Sequence, residues 1–232
     1  MNLDFRQLLG RIPETVLDDC RESIEGLSIA GIESIESLCD AIESEEISPE
    51  LRRFACWLAR FDGTGATVRP LLKAFRGVDE GLFWEAGIAL GLSKRKEAFE
   101  PLADGLRFGG PDGRRAASAY ALGLLGDRRA IPYLVETLRS SKCELARDHA
   151  AEALGQLPSV ASIESLIEAL SDSHVAVFVS ASYALGLIGD SRALPALHAK
   201  LNEIRSYSNG HRDDEDAVRS AIQSIELYRD LH

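Results

Sequence analysis

Four copies of one short pattern constrain this chain more than any other feature. They are Ala89-Leu90-Gly91-Leu92, Ala121-Leu122-Gly123-Leu124, Ala153-Leu154-Gly155-Gln156 and Ala184-Leu185-Gly186-Leu187, spaced 32, 32 and 31 residues apart. A period of that length marks stacked supersecondary units, each too small to bury its own apolar face. Such a chain grows by adding units along one axis, so a length of 232 residues sets no domain count.

The unit from Asp112 to Arg139 shows the grammar best. Its first helix, read from Arg114 to Leu125, is rich in alanine, and small residues let neighbouring helices approach closely. Gly126 then permits the left-handed backbone that ends a helix. Asp127 is placed to cap the next helix or to hold a neighbouring arginine. Pro132 belongs in a first turn, where its missing N–H is harmless, so a second helix is predicted from near Arg129 through Leu134, Val135 and Leu138. The same order returns from Gly189 to Leu197, while at Leu157-Pro158-Ser159 the Gly-Asp pair is lost and Pro158 ends the first helix.

Upstream, Trp84 to Leu92 pairs with Ala98 to Arg107, and Leu51 to Phe61 pairs with Val68 to Arg76. Ser34 to Ile42 parallels Ser162 to Leu170 at an offset of 128 residues, four periods of 32. Pro13 to Ile42 therefore reads as a degenerate first repeat, preceded by a short capping helix from Leu3 to Leu9. After Leu201 the period breaks: Arg205 to Asp213 is polar, carries the turn signal Asn209-Gly210 and is predicted to be a loop, and Ala217 to Tyr228 reads as a closing helix. The expected division is 1–47 (cap and degenerate repeat), 48–204 (five repeats) and 205–232 (loop and capping helix). Trp57 and Trp84 fall on first helices and are assigned to the core.

Charge is unevenly spread. Residues 1–50 hold 13 acidic and 3 basic side chains, so the net −11 leaves only −1 on the other 182 residues. That balance argues against general nucleic-acid binding, which rests on Lys/Arg–phosphate contacts. No apolar run approaches the ~20 residues needed to cross a bilayer, and the start, Met1 to Arg6, lacks a secretory pattern. Cys20, Cys39, Cys56 and Cys143 are scattered without zinc spacing and read as free, buried thiols in a reducing, cytoplasmic setting. No Ser/His/Asp grouping or phosphate-cradling loop is present; Gly109-Gly110-Pro111-Asp112-Gly113 is an inter-repeat turn.

The Ala-Leu-Gly-x-Leu/Ile-Gly-Asp-x-Arg-Ala-Ile/Leu-Pro stretches at 121–132 and 184–195 resemble the HEAT-like repeats first associated with phycobilin lyases. The resemblance implies an all-α, right-handed α-solenoid of about six helix pairs with helical caps, its second helices lining a concave surface. It does not imply one activity, because this repeat occurs in bilin lyases, metal-dependent hydroxylases, some DNA glycosylases and many adaptors. The hydroxylases carry His-Glu dipeptides; here the histidines are followed by Ala150, Val175, Ala199 and Arg212, and His232 is terminal. A glycosylase needs a basic groove, which the mixed-to-acidic inner face does not offer. The lyases have no short signature to map, so no catalytic residue is carried over.

Aligning the second helices on Ile42, Phe75, Leu106, Leu138, Leu170 and Leu201 yields two outward columns. One reads Glu36, Arg69, Glu100, Pro132, Glu164, Pro195; the other, four residues on, reads Asp40, Lys73, Asp104, Glu136, Glu168, Ala199. Glu100, Asp104, Glu136, Glu164 and Glu168 would form an acidic strip with Tyr133 as an aromatic anchor, suited to a basic peptide or a Lys/Arg-bearing protein. The plain alternative is that exposed helix positions are charged anyway. Tyr120 and Tyr183, at one repeat position, read as packing or as convex surface. The leading expectation is a non-enzymatic scaffold that binds another protein, with no cofactor, metal, nucleic acid or membrane. The alternative is a subunit of a bilin lyase or chromophore chaperone, and self-association through the acidic N-terminal repeat stays open.

Overall fold

The structure, a computed structural model, describes residues 9–13, 16, 19–108, 112–206 and 212–231. Thirteen helices are described: α1 (Arg21–Ile29), α2 (Ile35–Glu43), α3 (Pro49–Ala59), α4 (Val68–Arg76), α5 (Glu80–Leu92), α6 (Phe99–Arg107), α7 (Asp112–Leu125), α8 (Ile131–Ser140), α9 (Glu144–Gln156), α10 (Ile163–Ala169), α11 (Val175–Ile188), α12 (Leu194–Ser206) and α13 (Arg212–Leu231). No strand occurs among the described residues. The all-α solenoid arrangement of helix pairs expected from the period is what the chain forms. The capping helix read at Leu3 to Leu9 falls almost wholly outside the described residues.

The chain divides into two compact units, residues 1–102 and 103–232, with the division inside α6. Within the first unit, α1, α3 and α5 stack in order, and α2 and α4 pack against each other and against the first helices. Within the second, α7, α9, α11 and α13 stack in succession, while α8 packs on α9 and α10, and α10 packs on α11.

The reason for the period lies in that second stack. A methyl group placed on Gly123 would come within 2.8 Å of Ala153 Cβ and 2.9 Å of its Cα. The same addition at Gly155 would meet Ala184 Cα at 3.0 Å, and at Gly186 it would meet Ala221 Cα at 3.0 Å. Gly123, Gly155 and Gly186 therefore each receive an alanine of the next first helix, and for the first two pairs that alanine is the one that opens the next motif. Close approach of first helices is thus written as a Gly–Ala pair that must recur once per repeat.

The connections within each repeat follow from local chemistry. Gly126 and Gly189 adopt φ of 78° and 74° and end their helices. Asp127 accepts the Arg129 backbone N–H at 3.0 Å and also chelates the Arg129 guanidinium; Asp190 does the same for Arg192. Where Gly-Asp is absent, Ser159 Oγ accepts the Ala161 N–H at 3.3 Å in the same role. A 3-10 turn, Arg128–Ala130, comes first, so α8 begins at Ile131 rather than Arg129, and Pro132 sits in its first turn. In the first unit the turn before α4 is held by Asp62, whose carboxylate accepts the backbone N–H and hydroxyl of both Thr64 and Thr67. Burial alone would raise Asp62, but those four hydrogen bonds outweigh it and hold the carboxyl below its usual range.

Two expectations need correction. Trp57 and Trp84 are half-buried, not core. The inward positions of α3 are taken by Ala55, Cys56, Leu58 and Ala59, which leaves Trp57 to stack on Phe54 with ring centroids 5.2 Å apart. The polar stretch from Arg205 to Asp213 is not a single loop: Arg205 and Ser206 end α12, and Arg212 and Asp213 open α13. Glu215 joins these helices by accepting from Arg205 at 2.8 Å and from Arg219.

Replacing Gly155 by Ala should lower stability by about 1–3 kcal/mol, because the added methyl meets backbone as well as side chain in the next helix. Urea denaturation of the variant, set against an alanine placed at exposed Gln156, measures this; an unchanged midpoint would show that the helices separate freely.

Candidate functional site

The second helices of the 103–232 unit present the face on which the acidic strip was expected. Their inward rows, Leu106, Leu134, Leu138, Leu166 and Leu170, are buried, and this fixes which residues turn outward. Asp104, Glu136, Glu164 and Glu168 are exposed on α6, α8 and α10, and Tyr133 is half-buried on α8. Glu100 is exposed on α6 but belongs to the other compact unit.

Neighbouring elements are linked across this face by arginines that the column alignment did not include. Arg107 at the end of α6 donates to the Tyr133 hydroxyl at 3.0 Å, with its guanidinium carbon 4.4 Å from the ring centroid. Arg139 on α8 makes a two-pronged contact with Glu168 on α10, at 2.8 and 3.1 Å. Glu168 is thus committed to a neighbour, and the strip is more neutral than a reading of its acids suggests. Exposed pairs of this kind contribute only ~0.2–1 kcal/mol each.

Two pockets open at the C-terminal end of α8 and share Ser141. The first, about 430 Å³, is walled by Leu106, Arg107, Asp112, Arg115, Tyr133 and Glu136, with Thr137 and the Ser140–Lys142 turn. It gathers Tyr133 and Glu136 of the expected site together with three cations. The second, also about 430 Å³, holds Arg139, Glu168, Arg147 and Asp172. In it Arg147 grips Asp172 at 2.7 and 3.0 Å and donates to the Ser141 carbonyl at 2.8 Å. Burial would raise Asp172, but the Arg147 guanidinium and the His174 N–H, at 2.9 Å, outweigh it and hold the carboxyl below its usual range.

A third groove, about 560 Å³, lies on the opposite, first-helix side and was not anticipated. Gly155, Ala184, Gly186 and Ala221 form its floor, and Tyr183 and Leu187 stand over it, 52% and 67% exposed. The sequence signal was present in the recurring glycines beside Tyr183, which had been read as packing or convex surface.

Nothing in this geometry assembles a nucleophile. Burial pushes the Cys39 thiol up to about 11 and the Cys56 thiol up to about 12, away from the reactive thiolate. Cys20 and Cys39 are half-buried rather than fully buried. Among the described residues no His/Cys/Asp/Glu group is arranged to hold a metal, and no helix is long and apolar enough to cross a membrane.

Comparison with protein families matches HEAT repeats over residues 68–155, 114–182 and 131–203, so the chain belongs to the HEAT-repeat family. Comparison with curated protein sequences gives no match. Among solved structures, the chain is similar to an engineered protein (18% identity, TM-score 0.52, covering 82% of this chain and 98% of that one). It is similar to computationally designed armadillo repeat proteins for modular peptide recognition (15%, TM-score 0.50, 81% and 98%). It is also similar to the complex of CpcE and CpcF of phycocyanin lyase from Nostoc sp. PCC7120 (23%, TM-score 0.48, 82% and 81%). These likenesses concern the fold.

The Arg147–Asp172 pair makes stability depend on pH in a defined direction. A carboxyl held low when folded contributes fully above the ordinary Asp value of about 3.9 and loses that contribution as pH falls through the lowered value. Asp172→Asn should cost about 2–3 kcal/mol near neutrality, with the gap from the parent protein closing below about pH 4. Melting temperatures of both proteins from pH 7 down to 3 test this, and a gap independent of pH would refute it.

Proposed function

We propose that the second-helix face of residues 103–232 binds a segment of another protein, without catalysis. The observation that carries this reading is the pocket in which Tyr133 and Glu136 meet, flanked by the exposed carboxylates of Asp104 and Glu164 on neighbouring helices. An aromatic ring in a pocket with charges around it is the usual make-up of a protein-recognition centre and rim. These side chains stand on helices fixed by close packing, so little ordering entropy is lost on binding. Asp104, Glu136 and Glu164 supply acceptors for lysines or arginines of the partner, and Glu168, tied to Arg139, adds less.

The test uses positions whose side chains the fold does not require. Glu136→Lys and Glu164→Lys together should abolish or weaken partner capture by at least about tenfold at low ionic strength, since rim charges steer association. Proteins retained by the parent chain and lost by the double variant, identified by mass spectrometry and confirmed one at a time with purified partner, would support the reading. Identical capture by both forms would remove the strip as the site.

A further inference from the structure

We propose that the pocket bounded by α6, α7 and α8 seats a carboxylate of the partner segment, held by Arg107, Arg115 and Lys142. The proposal rests on the reading that this face binds a protein, and it supplies the half of the recognition that the acidic strip lacks.

Most of the unit's other described cations are held by a carboxylate. Arg129 and Arg192 are chelated by Asp127 and Asp190. Arg139 and Arg147 each hold a carboxylate with two prongs, Arg205 and Arg219 converge on Glu215, and Lys200 reaches Glu203 at 3.3 Å. The three cations of the pocket, like the exposed Arg128 outside it, depart from this pattern. Among the described residues Arg107 bonds only to the Tyr133 hydroxyl. Arg115 has Asp112 as its nearest carboxylate, at 3.9 Å, beyond hydrogen-bond reach. Lys142 is exposed, and among the described residues no carboxylate pairs with it. The adjoining pocket, sharing Ser141, serves as an internal control, because there both arginines are satisfied.

The geometry is preorganised as well as only partly compensated. Arg107 lies over the Tyr133 ring and uses one terminal nitrogen on the hydroxyl, which fixes the guanidinium plane and leaves further N–H donors unused. A concave site lined by one excess sign of charge focuses potential on a ligand of the other sign.

The charge count selects the ligand. Three cations face Asp112 and Glu136, an excess of one positive charge, which a single carboxylate neutralises. A phosphate monoester, carrying roughly −1.5 to −2, would overshoot and sit against Glu136. A planar carboxylate also matches the fork of a guanidinium. The source is an Asp or Glu side chain of the bound segment, whose own cations lie along Asp104, Glu136 and Glu164.

The experiment is a titration of the isotopically labelled full chain, followed by NMR, with a short acetylated and amidated peptide that carries one Glu. Saturable shifts are expected at the Arg107 and Arg115 Nε–H signals and the Lys142 amide, and none with the Gln counterpart. Arg107→Gln and Lys142→Gln should each weaken binding by about tenfold, and Glu136→Gln should tighten it a few-fold. Both cations are exposed, so circular dichroism of the variants should match the parent. An equal response to the Gln peptide, indifference to both cation substitutions, or tighter binding of a phosphoserine peptide would each overturn the proposal. If the Glu peptide fails while Glu136→Lys with Glu164→Lys still abolishes partner capture, the carboxylate site falls and the protein-binding face stands. If the Glu peptide binds while charge reversal leaves capture intact, the carboxylate site stands and the acidic strip falls.

Discussion

The contact on which the second unit depends is the meeting of a glycine on one first helix with an alanine on the next. At Gly123–Ala153, Gly155–Ala184 and Gly186–Ala221 the helices approach until no side chain fits between them. Such an approach maximises dispersion contact, and it is sensitive to a single added methyl. It also explains why the strongest sequence signal is made of the smallest residues: these positions are defined by what cannot be there. The large apolar side chains beside them, Leu122, Leu154 and Leu185, are fully buried.

This division of labour decides where recognition chemistry can go. The first helices α7, α9 and α11 run 13 or 14 residues, whereas α8 has 10 and α10 only 7. The shorter second helices stop early, and the chain returns through the turns at Ser141–Cys143 and Ser171–His174. Those turns become walls of the two pockets. Where this repeat packs one layer closely and cuts the other short, at α8 and α10, a notch forms beside the end of the second helix. What the notch contains is left to side chains the packing does not constrain, so one holds satisfied ion pairs and its neighbour three cations without hydrogen-bonded carboxylates.

Much of this was legible in the residues. The helix stops at Gly126 and Gly189, the Asp127 and Asp190 clamps and the place of Pro132 each follow from one local rule, and each holds. The alignment of second helices also identified which residues point outward, as the exposure of Asp104, Glu136, Glu164 and Glu168 shows. Partnerships were not legible, because they depend on elements far apart in the chain. Arg139 reaches Glu168 across 29 positions and Arg107 reaches Tyr133 across 26, neither of them the period of 32. A search confined to columns of equivalent positions passes over both. Trp57 was misplaced for a related reason: an aromatic on a helical stripe suggests burial, but this stack fills its inward positions with smaller residues.

Residues 51–232 are close to neutral in sum, which does not itself locate a charged site. Neutrality, however, is a sum over pairs that are already closed. Once the bound couples Arg129–Asp127, Arg139–Glu168, Arg147–Asp172 and Arg192–Asp190 are removed, the exposed remainder on the second-helix face is not random. Its open anions, Asp104, Glu136 and Glu164, lie along the helices, and Glu136 also lines the notch at which Arg107, Lys142 and the half-buried Arg115 of α7 converge. An excess of positive charge at the notch and of negative charge away from it gives the face a direction. A bound segment would read that direction as the order of its own acidic and basic residues, and specificity of this kind arises as much from the like-charge clashes of the reversed order as from the favourable contacts.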